Sequence, residues 1–362
     1  MDRKSLLETL KIVMPALASK ELVPIFSCFC FTGDHVLAYD DIIAIQAPCD
    51  TGEFKGGLHG QVFYDFVNAS RSSDVELLDD ADDTQATVVK IGRSKLKITH
   101  ASVDEFIFTP PEKKKKAKML TIGPVFIDAL KKAMISMGSD TNHPWMLGVT
   151  LSITDGNATL YSSNNLAATR VNLEIESDDV AVIIPPRMCE LLISMASKVK
   201  PNSMVIQADW IYCKFDGGIE VWGKSISGAK SDTFESLFDG TEIDEDEDVE
   251  TPKGFDGMLE RAKVVLSPVW SASSDKSNFE RHSSFTVSNG VLKIDTVSTK
   301  GGVHDRIKTK HQDASAKLAP ELIRSAMVYA THIQIITDKC LAMSGVNFLH
   351  LISAARSGET NE

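Results

Sequence analysis

The chain has 362 residues, 38 Lys and Arg against 50 Asp and Glu for a net charge of −12, a hydrophobic fraction of 43% and six cysteines. That balance excludes intrinsic disorder and collagen-like structure. The length calls for two or three domains in sequence, not one oversized core.

Met1-Asp2-Arg3-Lys4 leads into Leu6, Leu7, Leu10, Val13 and Leu17, which recur with helical spacing and form no continuous apolar block, so no secretory signal is expected. No stretch reaches the roughly 18 apolar residues that span a bilayer, and a cytoplasmic protein without a membrane partner is expected. A helix over 6–17 opens the chain. An apolar-turn-apolar pattern follows over 31–38, then a second helix over 58–67 and a closing strand over 88–91. A basic segment containing Lys113, Lys114, Lys115, Lys116 and Lys118 ends this block. The order then repeats: helix 125–137, hairpin 153–160 around Asp155-Gly156, helix 186–196, strand 204–207. An acidic segment over 242–250 separates the third copy: helix 255–266, hairpin 287–294 around Asn289-Gly290, helix 320–330, strand 333–336. Pro186 and Pro320 sit at the first turn of their helices, where a missing N–H costs nothing.

A repeat of this length is too long for a solenoid period of roughly 20 to 50 residues. It implies three equivalent domains, 1–118, 119–245 and 246–362, each placing two helices on one face of an antiparallel sheet, an α+β architecture. The cysteines include no Cys-x-x-Cys pair and fall in runs such as Phe26-Ser27-Cys28-Phe29-Cys30-Phe31, which reads as reduced, packed thiols with no metal site.

Charge is unevenly distributed. The six helix windows 3–20, 57–73, 123–138, 186–200, 253–266 and 319–330 hold 14 Lys and Arg against 7 Asp and Glu, a balance of +7, so the other residues carry −19 of the net −12. Such segregation suits a protein that meets a polyanion with one face. Lys4 and Lys11 lie on the polar side of the first helix, Lys131 and Lys132 in the third, Arg187 and Lys198 with the fourth, and Arg261 with Lys263 in the fifth. For any one helix, a solvated polar face explains the same residues; the excess over all six windows favours the polyanion.

Gly92-Arg93-Ser94-Lys95-Leu96-Lys97-Ile98, followed by Val103-Asp104-Glu105-Phe106, with Lys20 ahead of Val23-Pro24-Ile25 and with the run from Leu259 to Leu266, resembles the bacterial DNA polymerase III beta sliding clamp family in its order along the threefold repeat. The resemblance implies three DNA-clamp domains per chain and a ring of two chains joined head to tail, with twelve helices lining a hole. Helices spaced at roughly 8 to 10 Å around such a ring leave an opening of about 25 Å, wide enough for a duplex. It implies a non-catalytic DNA sliding clamp, or polymerase processivity factor, without cofactors. Its partners would be double-stranded DNA, a DNA polymerase, a clamp loader and a second copy of itself.

The same resemblance adds Lys20, His143 and Trp145 to the DNA-facing residues. It sets Leu96 against Val265 and Leu266 of the other chain, and outlines a partner-peptide pocket from Leu160, Leu166, Phe238 and Leu351. The sequence departs from the family in that pocket. Tyr161-Ser162-Ser163-Asn164-Asn165-Leu166 replaces the family's T-D-G-H-R-L, and Leu351-Ile352-Ser353-Ala354-Ala355-Arg356 replaces its terminal M-P-M-R-L. A different peptide preference follows, as in a phage-encoded or otherwise divergent clamp. No phosphate-binding Gly-rich loop, His-x-x-x-His pair or nucleophile elbow supports catalysis. The competing reading is a clamp-fold interaction scaffold that does not encircle DNA.

Overall fold

The computed structural model describes residues 1–19, 23–106, 108–109, 111, 118–175, 179–207, 209–241, 243, 249–266 and 281–355. Most of the basic and acidic segments, at 112–117 and 244–248, therefore lie outside the described residues, as does Lys20. The chain forms two compact units, one of residues 1–127 and 187–225, the other of 128–186 and 226–362.

Helix α1 (Arg3–Val13) begins where the Asp2 carboxylate accepts the Ser5 N–H at 2.7 Å, and it buries Leu6, Leu7, Leu10 and Val13. It stops short of residue 17 because Pro15 has no N–H to donate, and a single 3-10 turn, Met14–Ala16, follows. The other helices are α2 (Gly60–Ala69), α3 (Pro124–Ala133), α4 (Pro186–Ala196), α5 (Ser231–Asp239), α6 (Phe255–Lys263) and α7 (Pro320–Ala326). All six expected helices are present. The seventh, α5, was not expected. Both residues of each predicted tight turn have positive φ, 50° and 78° at Asp155-Gly156 and 52° and 71° at Asn289-Gly290, the backbone that two-residue hairpins require.

The first unit holds one antiparallel sheet of 11 strands, with α1 and α2 packed together. Its order is Val75–Asp79, Ala86–Ile91, Ser94–Ala101, Gly56–His59, Cys28–Phe31, His35–Tyr39, Ile43–Pro48, Glu220–Lys224, Trp210–Phe215, Pro201–Gln207 and Lys118–Thr121. Gly223 leaves room for Met188 of α4, since a Cβ there would lie 2.9 Å from the Met188 sulfur. The second unit holds a sheet of 8 strands and a sheet of 4. The larger runs Val180–Ile184, Val149–Thr154, Asn157–Ser163, Ala167–Glu174, Phe348–Ser353, Cys340–Gly345, His332–Ile336 and Val249–Glu250; the smaller runs Gly301–Lys308, Val291–Ser298, Ser283–Ser288 and Ala314–Leu318. This is an α+β architecture built from repeated helix-and-sheet units.

One joint occurs twice. Ile43–Pro48 pairs with Glu220–Lys224 in the register Ile45 opposite Val221, and Ala167–Glu174 pairs with Phe348–Ser353 in the register Thr169 opposite His350. In each, the last strand of a four-strand group meets the last strand of a three-strand group from the next repeat. The third pair of equivalent strands, Gly301–Lys308 and Ser94–Ala101, is not joined. Gly301–Lys308 bonds only Val291–Ser298, and 94–99 bonds only Ala86–Ile91 among the described residues.

The second joint encloses a polar cluster: Thr169 Oγ1 lies 2.9 Å from His350 Nδ1 and 2.7 Å from Ser136 Oγ, all three buried. Burial alone pushes the His350 imidazole down to about 3. The folded state therefore keeps His350 neutral while the unfolded chain takes up a proton below its ordinary value of about 6.5. Stability that is complete above that value is lost as pH falls, at about 1.4 kcal/mol per unit. Denaturant titrations from pH 7 to pH 4.5 are expected to show stability falling toward acid more steeply in the native protein than in His350→Gln, the difference approaching this slope.

Candidate nucleic-acid interface

The helices bury their apolar residues, and most of the cations they carry lie at the surface. On α1, Lys4 and Lys11 are exposed opposite buried Leu6, Leu10 and Val13. On α3, Lys131 is exposed opposite Phe126, Ile127 and Leu130, and Lys198 is exposed two residues beyond α4. These four lysines have no carboxylate partner within ion-pair distance among the described residues; neither has half-buried Lys263.

The other predicted cations among the described residues are engaged within the chain. Arg187 forms an ion pair with Asp40, whose side chain is 3% exposed, and donates to the Pro15 carbonyl at 2.8 Å. The same Asp40 carboxylate accepts the Ile42 and Ile43 N–H groups at 3.0 and 2.8 Å, so Arg187 fastens the start of α4 to a tight turn. Arg261 Nε donates to Asp305 at 2.6 Å, and Lys132 pairs with Asp128 at 3.0 Å one helical turn away. His143 is exposed but lies 2.8 Å from Asp140, whose carboxyl is held below its usual range by that contact and by the Asn142 N–H. The +7 of the helix windows therefore overstates the charge these faces offer a ligand. Spacing places a residue on a helix face and says nothing of a carboxylate arriving from a distant turn.

Trp145 is half-buried and used for packing. It meets Phe234 of α5 edge to face at 5.3 Å, with Lys230 Nζ 5.9 Å over its ring. Phe234 stacks on Tyr161 at 5.1 Å with planes 7° apart, Phe238 packs beside them, and Arg170 lies 5.0 Å over the Phe238 ring. Phe238 and Leu351 are brought together in this cluster, which also holds Ala168 and Ala342. Leu160 is not. Successive strand residues face opposite sides, so Leu160 points away from Tyr161 and is fully buried under the sheet's other face. Leu166 sits in the turn between strands, 37% exposed. The four predicted pocket residues thus do not line one cavity. Tyr161 and Phe234 take the place assigned to Leu160, and the four-residue spacing of Phe234 and Phe238 was the signal for α5.

At the open edges, Leu96 is half-buried on Ser94–Ala101. Val265 is half-buried beside Gly301, where a Cβ would lie 3.9 Å from its Cγ1. Leu266, only 9% exposed, belongs to its own core; Val264, 77% exposed, is the apolar residue that faces out.

No protein-family model and no curated protein matches this sequence. Solved structures match over almost the whole chain. A putative DNA polymerase III beta subunit from Eubacterium rectale has a TM-score of 0.82 at 17% identity, covering 98% of each chain. The DNA polymerase sliding clamp from Bacillus subtilis gives 0.81 at 14% identity over 99% of this chain and 98% of its own. The beta subunit from the DNA polymerase of Streptococcus pyogenes gives 0.83 at 14% identity over 99% of each. The fold is that of the DNA polymerase III beta sliding clamps.

Removing Phe234 strips α5 of its main anchor. Phe234→Ala is expected to cost about 3 kcal/mol and to raise amide exchange in 231–239 more than in α1. Exchange measured by mass spectrometry checks this.

Proposed function

We propose that this protein is a DNA sliding clamp: two copies join head to tail into a ring that encircles duplex DNA and tethers a DNA polymerase, without catalysis of its own. The repeats 1–118, 119–245 and 246–362 would each supply one third of a half-ring. The observation that carries this reading is the missing third joint. Two joints of one kind link the repeats within a chain, and the strands that would make the third are left, among the described residues, with open edges at 94–99 and Gly301–Lys308. An unpaired edge is a template for another chain, and a second copy offers the complementary edge on both sides. Leu96 of one copy would then meet Val265 of the other.

DNA would be held by Lys4, Lys11, Lys131 and Lys198, with Lys263 and Lys20 beside them, through contacts to phosphate that carry no sequence information and permit sliding. That the matched structures are a DNA polymerase III beta subunit and a DNA polymerase sliding clamp supports this assignment. A clamp-fold scaffold that does not encircle DNA differs from it in one readout. After loading with a cognate loader, a topological clamp stays on nicked circular DNA and is lost when the circle is linearised; equal retention on both would sink the ring.

Replacing Lys4, Lys11, Lys131 and Lys198 together by Ala removes eight lysines from a two-copy ring and should lower the slope of log affinity against log salt by up to roughly 7. An unchanged slope in a filter-binding or anisotropy titration would remove the helix-face assignment.

A further inference from the structure

Outside the helix windows the chain carries −19, yet one sheet face there is cationic. The sheet of Gly301–Lys308, Val291–Ser298, Ser283–Ser288 and Ala314–Leu318 buries Phe285, Leu292, Ile294 and Leu318 on one side. Alternation sends Thr286, Lys293, Arg306 and Lys308 to the other. The three cations are exposed, and Lys293 lies directly opposite Arg306 on the neighbouring strand. Like charges so placed cost stability. None of the three has a carboxylate within ion-pair distance among the described residues, and the two acids of the sheet are engaged: Asp295 lies 2.7 Å from His304 Nδ1, and Asp305 is held by Arg261.

The other two repeats lack this pair. Counted from the hairpin turn, the row Ser315, Thr286, Lys293, Arg306 corresponds to Gly57, Cys30, Leu37, Gln46 in the first repeat and to Ala181, Ser152, Thr159, Asn172 in the second. Neither of those rows is charged. In the third repeat the cations also continue past the strand. Lys308, Lys310 and Lys253 line one groove of about 570 Å³, where Glu250 is the one acid among the lining residues. Its loop is fixed by buried His311, whose Nε2 accepts the Ile335 N–H at 2.7 Å and whose backbone N–H donates to Thr309 Oγ1 at 3.1 Å.

The face carries no Phe, Tyr or Trp. It therefore lacks both the stacking platform that holds single strands and the aromatic anchor of a protein interface. Lys and Arg beside the hydroxyls of Thr286 and Ser315 are the donors that meet backbone phosphates. We propose that this face is a DNA-binding surface in its own right, holding the phosphate backbone of a duplex through Lys293, Arg306, Lys308 and Lys310. It uses none of the helix lysines assigned above and stands whether or not copies close into a ring.

Acetylation of lysines in the full chain, read by mass spectrometry with and without a short linear duplex, tests this surface. At 50 mM NaCl the duplex is expected to protect Lys293, Lys308 and Lys310, and at 500 mM that protection is lost. Protection confined to the helix lysines, or equal protection by polyglutamate, overturns the surface. The Lys4→Ala/Lys11→Ala/Lys131→Ala/Lys198→Ala variant separates the two readings: protection of Lys293 and Lys308 that persists in it supports an independent surface, and protection lost with the helix lysines overturns one. Lys293→Ala/Arg306→Ala/Lys308→Ala should lower the slope of log affinity against log salt by roughly 3 for each copy engaged. An unchanged slope counts against the assignment. Arg306→Glu sets a carboxylate opposite Lys293, so it should weaken duplex binding while raising the melting temperature, as cross-strand repulsion becomes attraction. A lowered melting temperature would make Arg306 part of the fold and remove it from the surface.

Discussion

The edge of a β-strand carries backbone N–H and C=O groups that must be bonded, solvated or covered, and the organisation of this protein follows from how it meets that demand. Twice, a strand of one repeat bonds a strand of the next: Ile43–Pro48 with Glu220–Lys224, and Ala167–Glu174 with Phe348–Ser353. Both joints are sealed on the outer side by aromatic side chains. Tyr39, Phe108, Tyr212 and Trp222 cover the first, while Phe234 and Phe238 of α5 cover the second over Tyr161. Backbone bonds set the direction of each joint, and the rings over it exclude the water that would compete for those bonds. The ion pair of Arg187 with Asp40 adds a fixed point beside the first joint, at the start of α4.

What was legible in the sequence was what depends on neighbours a few residues apart. The apolar spacing of Leu6, Leu10 and Val13 marks α1, Asp155-Gly156 and Asn289-Gly290 mark their turns by the backbone they tolerate, and Pro186 and Pro320 mark two helix starts. The threefold order and the α+β class follow from these local features. The site was harder to read because it depends on distant partners. Nothing near Arg187 in the chain announces Asp40, and nothing near Arg261 announces Asp305, so both arginines appeared free. Leu160 and Tyr161 are adjacent and both apolar; only the register shows that Tyr161 lies under α5 and Leu160 on the opposite face. Trp145 presented the same ambiguity, and only the structure shows its contact with Phe234.

Buried polar groups mark the same contrast between local and distant information. His350 lies in a strand whose neighbours are apolar, and its partners Thr169 and Ser136 come from another repeat. A hydrophobic pair would hold the strands together as well. The Thr169 and His350 side chains accept only one alignment, because slipping one strand by a residue would carry its member of the pair to the opposite face and leave the other behind. The polar cluster is a register pin for the joint.

The two open edges are unlike each other. Gly301–Lys308 begins with two glycines, and Ser94–Ala101 carries Lys95, Leu96 and Lys97. Joining unlike edges is a heterologous contact, and such a contact sets no limit by itself on the number of copies. The rotation from one copy to the next decides whether the series closes or grows as a filament. In the proposed ring, closure would therefore depend on the geometry within each chain as much as on the contact between copies. A substitution far from either open edge that altered that geometry would turn the proposed closed assembly into a polymer while leaving the contact between copies intact.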